Sequence, residues 1–131
     1  QRVGDSRLCL YREDSTHSIR EHVREGDMLP IDKGSAGHIL LHFGAGADEK
    51  QRRKVFARLP IATFGERDAG AASISAPIFG AGDVLLGALS ISGPRSRLTR
   101  ERIRELCESL VTAARELSEK LGGGACWRDK A

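Results

Sequence analysis

The chain has 131 residues, of which 40% are hydrophobic and 30% charged, and its 21 basic and 18 acidic side chains leave a formal net charge of +3. This length suits one domain with a modest core, and the near-even charge argues against the concentrated basic face of a nucleic-acid binder. No apolar run approaches the length of a membrane span. Three cysteines at wide spacing argue against a disulfide framework or a zinc ribbon and favour a reducing cytoplasm.

The N-terminal part of the chain predicts a hairpin. Leu8 and Leu10 alternate with more polar neighbours, which is typical of a half-buried strand over residues 6–12. A second strand over residues 18–23 is expected to pair with it in antiparallel fashion.

Two short helices are predicted next. Residues 35–43 place Ile39, Leu40 and Phe43 on one side of a helix, behind a residue that can cap it. Residues 48–59 separate an apolar side from a basic one, and the proline that follows ends the helix.

The middle of the chain has the strongest strand pattern. Residues 71–79 and 84–92 are two apolar runs joined by a short Gly/Asp connection, which is a hairpin signal. Serines alternate along both runs, namely Ser73, Ser75, Ser90 and Ser92. Hydroxyls on one face of neighbouring strands can bind a small polar ligand; the simpler interpretation is that these serines occupy the solvent face of a sheet.

The clearest element is a helix over residues 100–121, with apolar residues at steps of three and four and Thr99 as its N-cap. Residues 122–131 are expected to be a flexible C-terminal tail. The order of elements predicts an α+β domain over residues 1–121, with one central antiparallel sheet flanked by helices and a long C-terminal amphipathic helix.

Two further features invite a binding site. A glycine-rich turn precedes the helix at residues 35–43 and would point backbone N–H groups at a carboxylate or phosphate, although a tight turn with an ordinary cap is the simpler explanation. His38 and His42 stand four residues apart, as metal ligands on a helix do. With no third ligand in the pattern, we favour two solvent-facing histidines and expect no metal site.

Catalysis has weaker support. Ser90 lies in a sequence that does not match the Gly-x-Ser-x-Gly nucleophile motif, and no cysteine has a histidine partner in the pattern. We therefore assign no catalytic residue and expect no enzyme. The basic stretches belong to amphipathic helices and are interpreted as solvated faces.

Three motifs follow one another along the chain: Leu29-Pro30 with Gly34-Ser35-Ala36-Gly37, Gly65-Glu66-Arg67-Asp68-Ala69-Gly70 with Ala76-Pro77-Ile78-Phe79, and Ala88-Leu89-Ser90-Ile91-Ser92-Gly93-Pro94. Together they resemble the C-terminal effector-binding domain of the IclR family of bacterial transcriptional regulators. The resemblance covers nearly the whole chain. It implies a GAF-like domain with a small-molecule pocket and without a cofactor.

Carried over residue by residue, the resemblance implies that the pocket is walled by Ser35 and Ala36, mainly through their backbone, and by Ser73, Ser90 and Ser92. The implied effector is a small organic acid or an aromatic metabolite. The sequence departs from the family pattern where His38 replaces a lysine and where Ser73 replaces the cysteine of some members.

A further departure is that residues 43–65 are shorter than usual by about a helix and a loop. Either the pocket lid is trimmed or a segment is omitted from the sequence.

The resemblance also implies partners. DNA contact belongs to an N-terminal winged helix-turn-helix that no part of this chain matches. Effector binding is expected to rearrange a homo-oligomer, either a dimer or a tetramer. No membrane partner is expected. The alternative is a stand-alone GAF-like ligand sensor of a signalling protein without DNA binding. A third hypothesis, a small hydrolase using Ser90, needs a basic partner within hydrogen-bond reach of that serine.

Overall fold

A computed structural model describes residues 1–16 and 23–128. In chain order the elements are β1 (Arg2–Val3), β2 (Ser6–Leu8), β3 (Met28–Pro30), α1 (Ser35–Phe43), α2 (Glu49–Phe56), β4 (Ile61–Phe64), β5 (Ala71–Phe79), a 3-10 turn (Ala81–Asp83), β6 (Leu85–Pro94), α3 (Arg100–Lys120) and α4 (Ala125–Arg128). Antiparallel strands mixed with helices confirm the predicted α+β class. Within the described ranges, no helix is long and apolar enough to cross a membrane.

The described strands form two three-stranded antiparallel sheets, β1–β2–β3 and β4–β5–β6, where the sequence predicts one central sheet. Strand β2 covers only the start of the strand expected at residues 6–12, and it pairs with β1 and β3. Strands of two or three residues offer few ladder hydrogen bonds, so they form a small sheet of their own. The predicted partner strand spans residues 18–23, and residues 18–22 of it lie outside the described part of the chain.

The larger sheet is built around the predicted hairpin of β5 and β6. Strand β5 has the predicted bounds, and β6 extends two residues further than expected, so that Pro94 pairs with Ala71 at the end of the ladder. A proline fits there because it lacks the N–H that an interior position would need. Strand β4, which the sequence analysis missed, is only four residues long and pairs with the first half of β5.

Helices α1 and α3 pack on opposite faces of this sheet. Ser73, Ser75 and Phe79 on β5 contact α1, and the residues between them point the other way because side chains alternate along a strand. Those residues, Ile74 among them, meet the apolar stripe of α3 in the main core.

The predicted helices are confirmed. Helix α1 has the predicted bounds, α2 is shorter at both ends than expected, and α3 ends one residue early. The Thr99 hydroxyl accepts a hydrogen bond from the Arg102 amide at 3.1 Å, as an N-cap does.

The segment after α3 differs from the expected flexible tail as far as Arg128. Trp127 on α4 is 3% exposed and packs against the rings of Phe56 and Phe79. The Asp83 carboxylate accepts hydrogen bonds from the Gly124 and Cys126 amides. The stabilisation gained by burying one large aromatic ring outweighs the tendency of the surrounding sequence to form a loop.

Candidate ligand-binding site

Helix α1 begins behind a turn whose geometry requires glycine. Gly34 has a φ of 87°, in the left-handed region that side chains disfavour. Gly37 lies so close to the preceding loop that a Cβ there would be 2.0 Å from the carbonyl oxygen of Ile31. Because these glycines have no side chain, the start of α1 packs closely against residues 31–34.

A line of hydroxyl groups joins α1 to the sheet. The Ser35 hydroxyl lies 2.7 Å from that of Ser73 and 2.6 Å from that of Ser75, and the Ser75 hydroxyl lies 2.5 Å from that of Ser90. The Ser35 amide also donates to the Ser73 hydroxyl at 3.3 Å. Thr63 on β4 extends the line, with its hydroxyl 3.1 Å from that of Ser73.

The strand register explains how these serines meet. Ser73 is the cross-strand partner of Ser92, and Ser75 is the partner of Ser90, so all four lie on the face that α1 covers. The interpretation as solvent-facing serines fits Ser90, which is exposed, but it is wrong for Ser75, which is fully buried.

A cavity of about 900 Å³ opens beside this line of hydroxyls. Its wall includes all five residues expected to bind an effector: Ser35, Ala36, Ser73, Ser90 and Ser92. Much of the remaining wall is apolar, with Leu8, Leu40, Ala88, Leu89 and Ile91 among its residues. A mainly apolar cavity of this size with a few convergent polar groups has the properties of a small-molecule site. That these residues hold a ligand stays a prediction.

The cavity wall also carries charges that the sequence analysis did not assign. Arg7 and Arg67 both line it. Burial lowers the pKa of Arg7, and the positive charge of Arg67 lowers it further. The wall therefore carries the positive charges of Arg7 and Arg67 together with the carboxylate of Glu66.

Glu66 joins the turn before α1 to His38. Its Oε1 accepts from the Gly34 amide at 3.2 Å and lies 2.8 Å from Nε2 of His38. Burial acts to raise the pKa of Glu66, but the hydrogen bonds from His38 and Gly34 outweigh it and hold that pKa below its ordinary value.

The two histidines stack against each other, with ring centroids 6.3 Å apart. They line a second, shallower depression of about 640 Å³ between α1 and α2. In the part of the chain that the structure describes, no group of three or more metal-ligating side chains comes together.

Ser90 has no catalytic arrangement in the described residues. Its hydroxyl is hydrogen-bonded to Ser75 rather than to a histidine or a carboxylate, so a base that could activate it is missing there. Burial, followed by the Asp83 carboxylate, raises the pKa of the Cys126 thiol to about 11, which keeps that thiol protonated and unreactive.

Comparison with known proteins supports the resemblance to the IclR family. Residues 61–119, which span β4 to α3, match the family model described as bacterial transcriptional regulator IclR C-terminal. The HTH-type transcriptional regulator KdgR of Escherichia coli (strain K12) is 28% identical over 142 residues, covering 90% of this chain and 54% of that protein. A solved IclR-family regulator from Rhodococcus sp. superimposes with a TM-score of 0.78 at 26% identity, covering 94% of this chain and 55% of that one. This chain is similar to the C-terminal part of IclR-family regulators.

The chain spans about half the length of the relatives that it matches. The solved repressor BlcR of Agrobacterium tumefaciens is 26% identical, with a TM-score of 0.75 over 93% of this chain and 58% of that one. The IclR protein of Thermotoga maritima shares the fold, with a TM-score of 0.79 at 21% identity over 92% of this chain and 59% of that one.

The KdgR alignment spans 142 positions, more than the 131 residues of this chain, so the relative carries extra residues inside the matched region. In this chain, α2 and a short turn lead directly from α1 to β4.

Three residues of the site escaped the sequence analysis as site residues: Arg7, Thr63 and Glu66. Glu66 stands inside a recognised motif, and its polarity beside glycine neighbours is a usable signal. Arg7 and Thr63 belong to short strands with no such signal, because only the fold brings them to α1.

Proposed function

We propose that this domain senses a small organic acid or aromatic metabolite in the 900 Å³ cavity beside α1. The observation that carries the proposal is the convergence of the five expected residues, from α1, β5 and β6, on one wall of that cavity. Hydroxyls and helix-start amides can donate to a carboxylate, and the apolar wall can take the body of the metabolite.

The regulator's response is proposed to follow from differential binding. An effector that binds one arrangement of the protomers better shifts the population towards it, and the paired DNA-binding domains of a dimer or tetramer move with that change. The relatives are HTH-type regulators about twice this length, which supports DNA binding by a part of the full-length protein outside the matched region, in the cytoplasm.

A thermal-shift screen with small acids and aromatic metabolites tests the binding proposal. We expect at least one compound to raise the melting temperature, and we expect Ser73→Ala and Ser92→Ala to lower the affinity of the domain for that compound. Ser109→Ala, at an exposed position of α3, is the matched control and should leave the affinity unchanged. Absence of any stabilising compound, or equal affinity in all three variants, contradicts the proposal.

The coding sequence upstream of this domain tests the DNA-binding part. A helix-turn-helix there supports the regulator, whereas its absence would favour the stand-alone GAF-like sensor. Sedimentation of the full-length protein as a monomer only would contradict the proposed oligomer.

A further inference from the structure

Arg7 is fixed at the start of α1 by backbone groups. Its Nε donates to the Pro30 carbonyl at 3.2 Å and its Nη2 donates to the Lys33 carbonyl at 3.4 Å. The same Nη2 lies 3.2 Å from the point where a Cβ on Gly34 would sit. The guanidinium is therefore held against the turn that opens the helix, on the wall of the cavity.

This cation lacks a carboxylate partner among the described residues. Its described hydrogen bonds go to two backbone carbonyls, which leaves donors of the five-donor guanidinium unused. Glu66, an acid on the same wall, is engaged with the Gly34 amide and His38. A half-buried charge without a counter-ion is unfavourable, and the pKa of Arg7 is lowered first by burial and then by the charge of Arg67.

The surroundings of Arg7 suit one class of anion. An arginine fork binds the two oxygens of a carboxylate side by side, and the serine hydroxyls of the same cavity can complete the coordination. The apolar residues along the rest of the wall suit an organic body rather than a small inorganic ion. The aliphatic and aromatic acids share this chemistry.

We propose that Arg7 is the residue that makes the cavity selective for a carboxylate over the neutral analogue of the same molecule. This rests on the proposed function, because it assigns a specificity determinant to the same cavity. Ser35, Ser73 and Ser92 shape the site and offer hydrogen bonds that an amide could also use, whereas a cation held at the start of α1 distinguishes a charged ligand from an uncharged one.

The test compares acids with their primary amides on the whole domain. Benzoate and succinate lead a panel of small acids, each paired with its amide, and binding is measured by thermal shift and titration calorimetry. We expect the acid to bind at least about tenfold more tightly than its amide, the usual effect of one charge-assisted hydrogen-bonded pair. Arg7→Gln should abolish that preference, and Arg7→Lys should keep part of it because a point charge remains without the fork.

The control is Arg102→Gln, which removes an exposed arginine of α3 that pairs with Glu105 away from the cavity. It should preserve the preference. A second measurement needs no variant: the Arg7 side-chain Nε–H resonance should shift when the acid is added and stay in place with the amide.

Equal binding of acid and amide, or an unchanged preference in Arg7→Gln, overturns the role of Arg7 while leaving a ligand-binding domain. If no acid and no amide in the panel binds, both this inference and the proposed binding of small organic acids fail.

Discussion

The Ser35 side chain is fully buried and hydrogen-bonded to two other hydroxyls, those of Ser73 and Ser75. A buried hydroxyl is tolerated only when it forms hydrogen bonds. This cluster therefore joins α1 to β5 through polar rather than apolar contacts. Ser35→Ala should lower the free energy of unfolding by about 1–3 kcal/mol, because the buried Ser75 hydroxyl and the half-buried Ser73 hydroxyl each lose a bond. Urea denaturation measures this, with the exposed Ser109→Ala expected to change the stability by less than about 0.5 kcal/mol. Equal stability of the two variants would show that the hydroxyl line is dispensable for folding.

His42 makes the stability of the domain depend on pH. Burial lowers the pKa of His42 below its ordinary value of 6.5, and the neighbouring His38 lowers it further. The unfolded chain then binds the proton more readily than the folded one, so His42 reduces the stability as the pH falls below about 6.5. His42→Asn should flatten the dependence of the melting temperature on pH between about 7.5 and 5.5. Parallel curves for the variant and the parent would refute this contribution.

At the scale of elements, the approach of α1 to the preceding loop depends on one missing side chain. A Cβ on Gly37 would meet the Ile31 carbonyl oxygen at 2.0 Å, whereas a Cβ on Gly87 of β6 would meet nothing within 4 Å. Gly37→Ala should therefore destabilise the domain by about 1–3 kcal/mol through a forced backbone shift. Gly87→Ala is the matched control and should be close to neutral, since its backbone is not left-handed. Chemical denaturation compares the two variants, and similar midpoints would mean that the loop moves to accommodate the added methyl group at little cost in stability.

At the scale of the whole molecule, the C-terminal segment closes the core. Trp127, the only tryptophan of the chain, joins α4 to α2 and β5 through the rings of Phe56 and Phe79. Trp127→Ala should lower the stability by about 3–5 kcal/mol, as for other large-to-small changes in a core, and Trp127→Phe should lower it less. Thermal unfolding ranks the variants, and the fluorescence of the parent protein should report a buried indole. A Trp127→Ala protein as stable as the parent would mean that the core does not need α4.

The sequence by itself determined the elements in which the spacing of apolar side chains reflects one buried face. Strand β5, helix α1 and helix α3 were predicted with their bounds correct to within a residue, because alternation and the three-to-four spacing are local consequences of a buried face. The order of motifs also predicted the resemblance to the IclR family, and that resemblance named five residues that the fold brings to one cavity. Short elements such as β4 escaped because four residues carry too little pattern.

Only the tertiary structure decided which distant residues complete the site. Arg7 reaches the start of α1 because β2 pairs with β3, and Trp127 enters the core because α3 returns the chain to the sheet. Neither placement leaves a mark in the local sequence, since an arginine in a short strand or a tryptophan after three glycines resembles a surface residue. The meeting of Arg7 and Arg67 on one cavity wall belongs to this second group, because only folding brings these charges together in a partly dehydrated space.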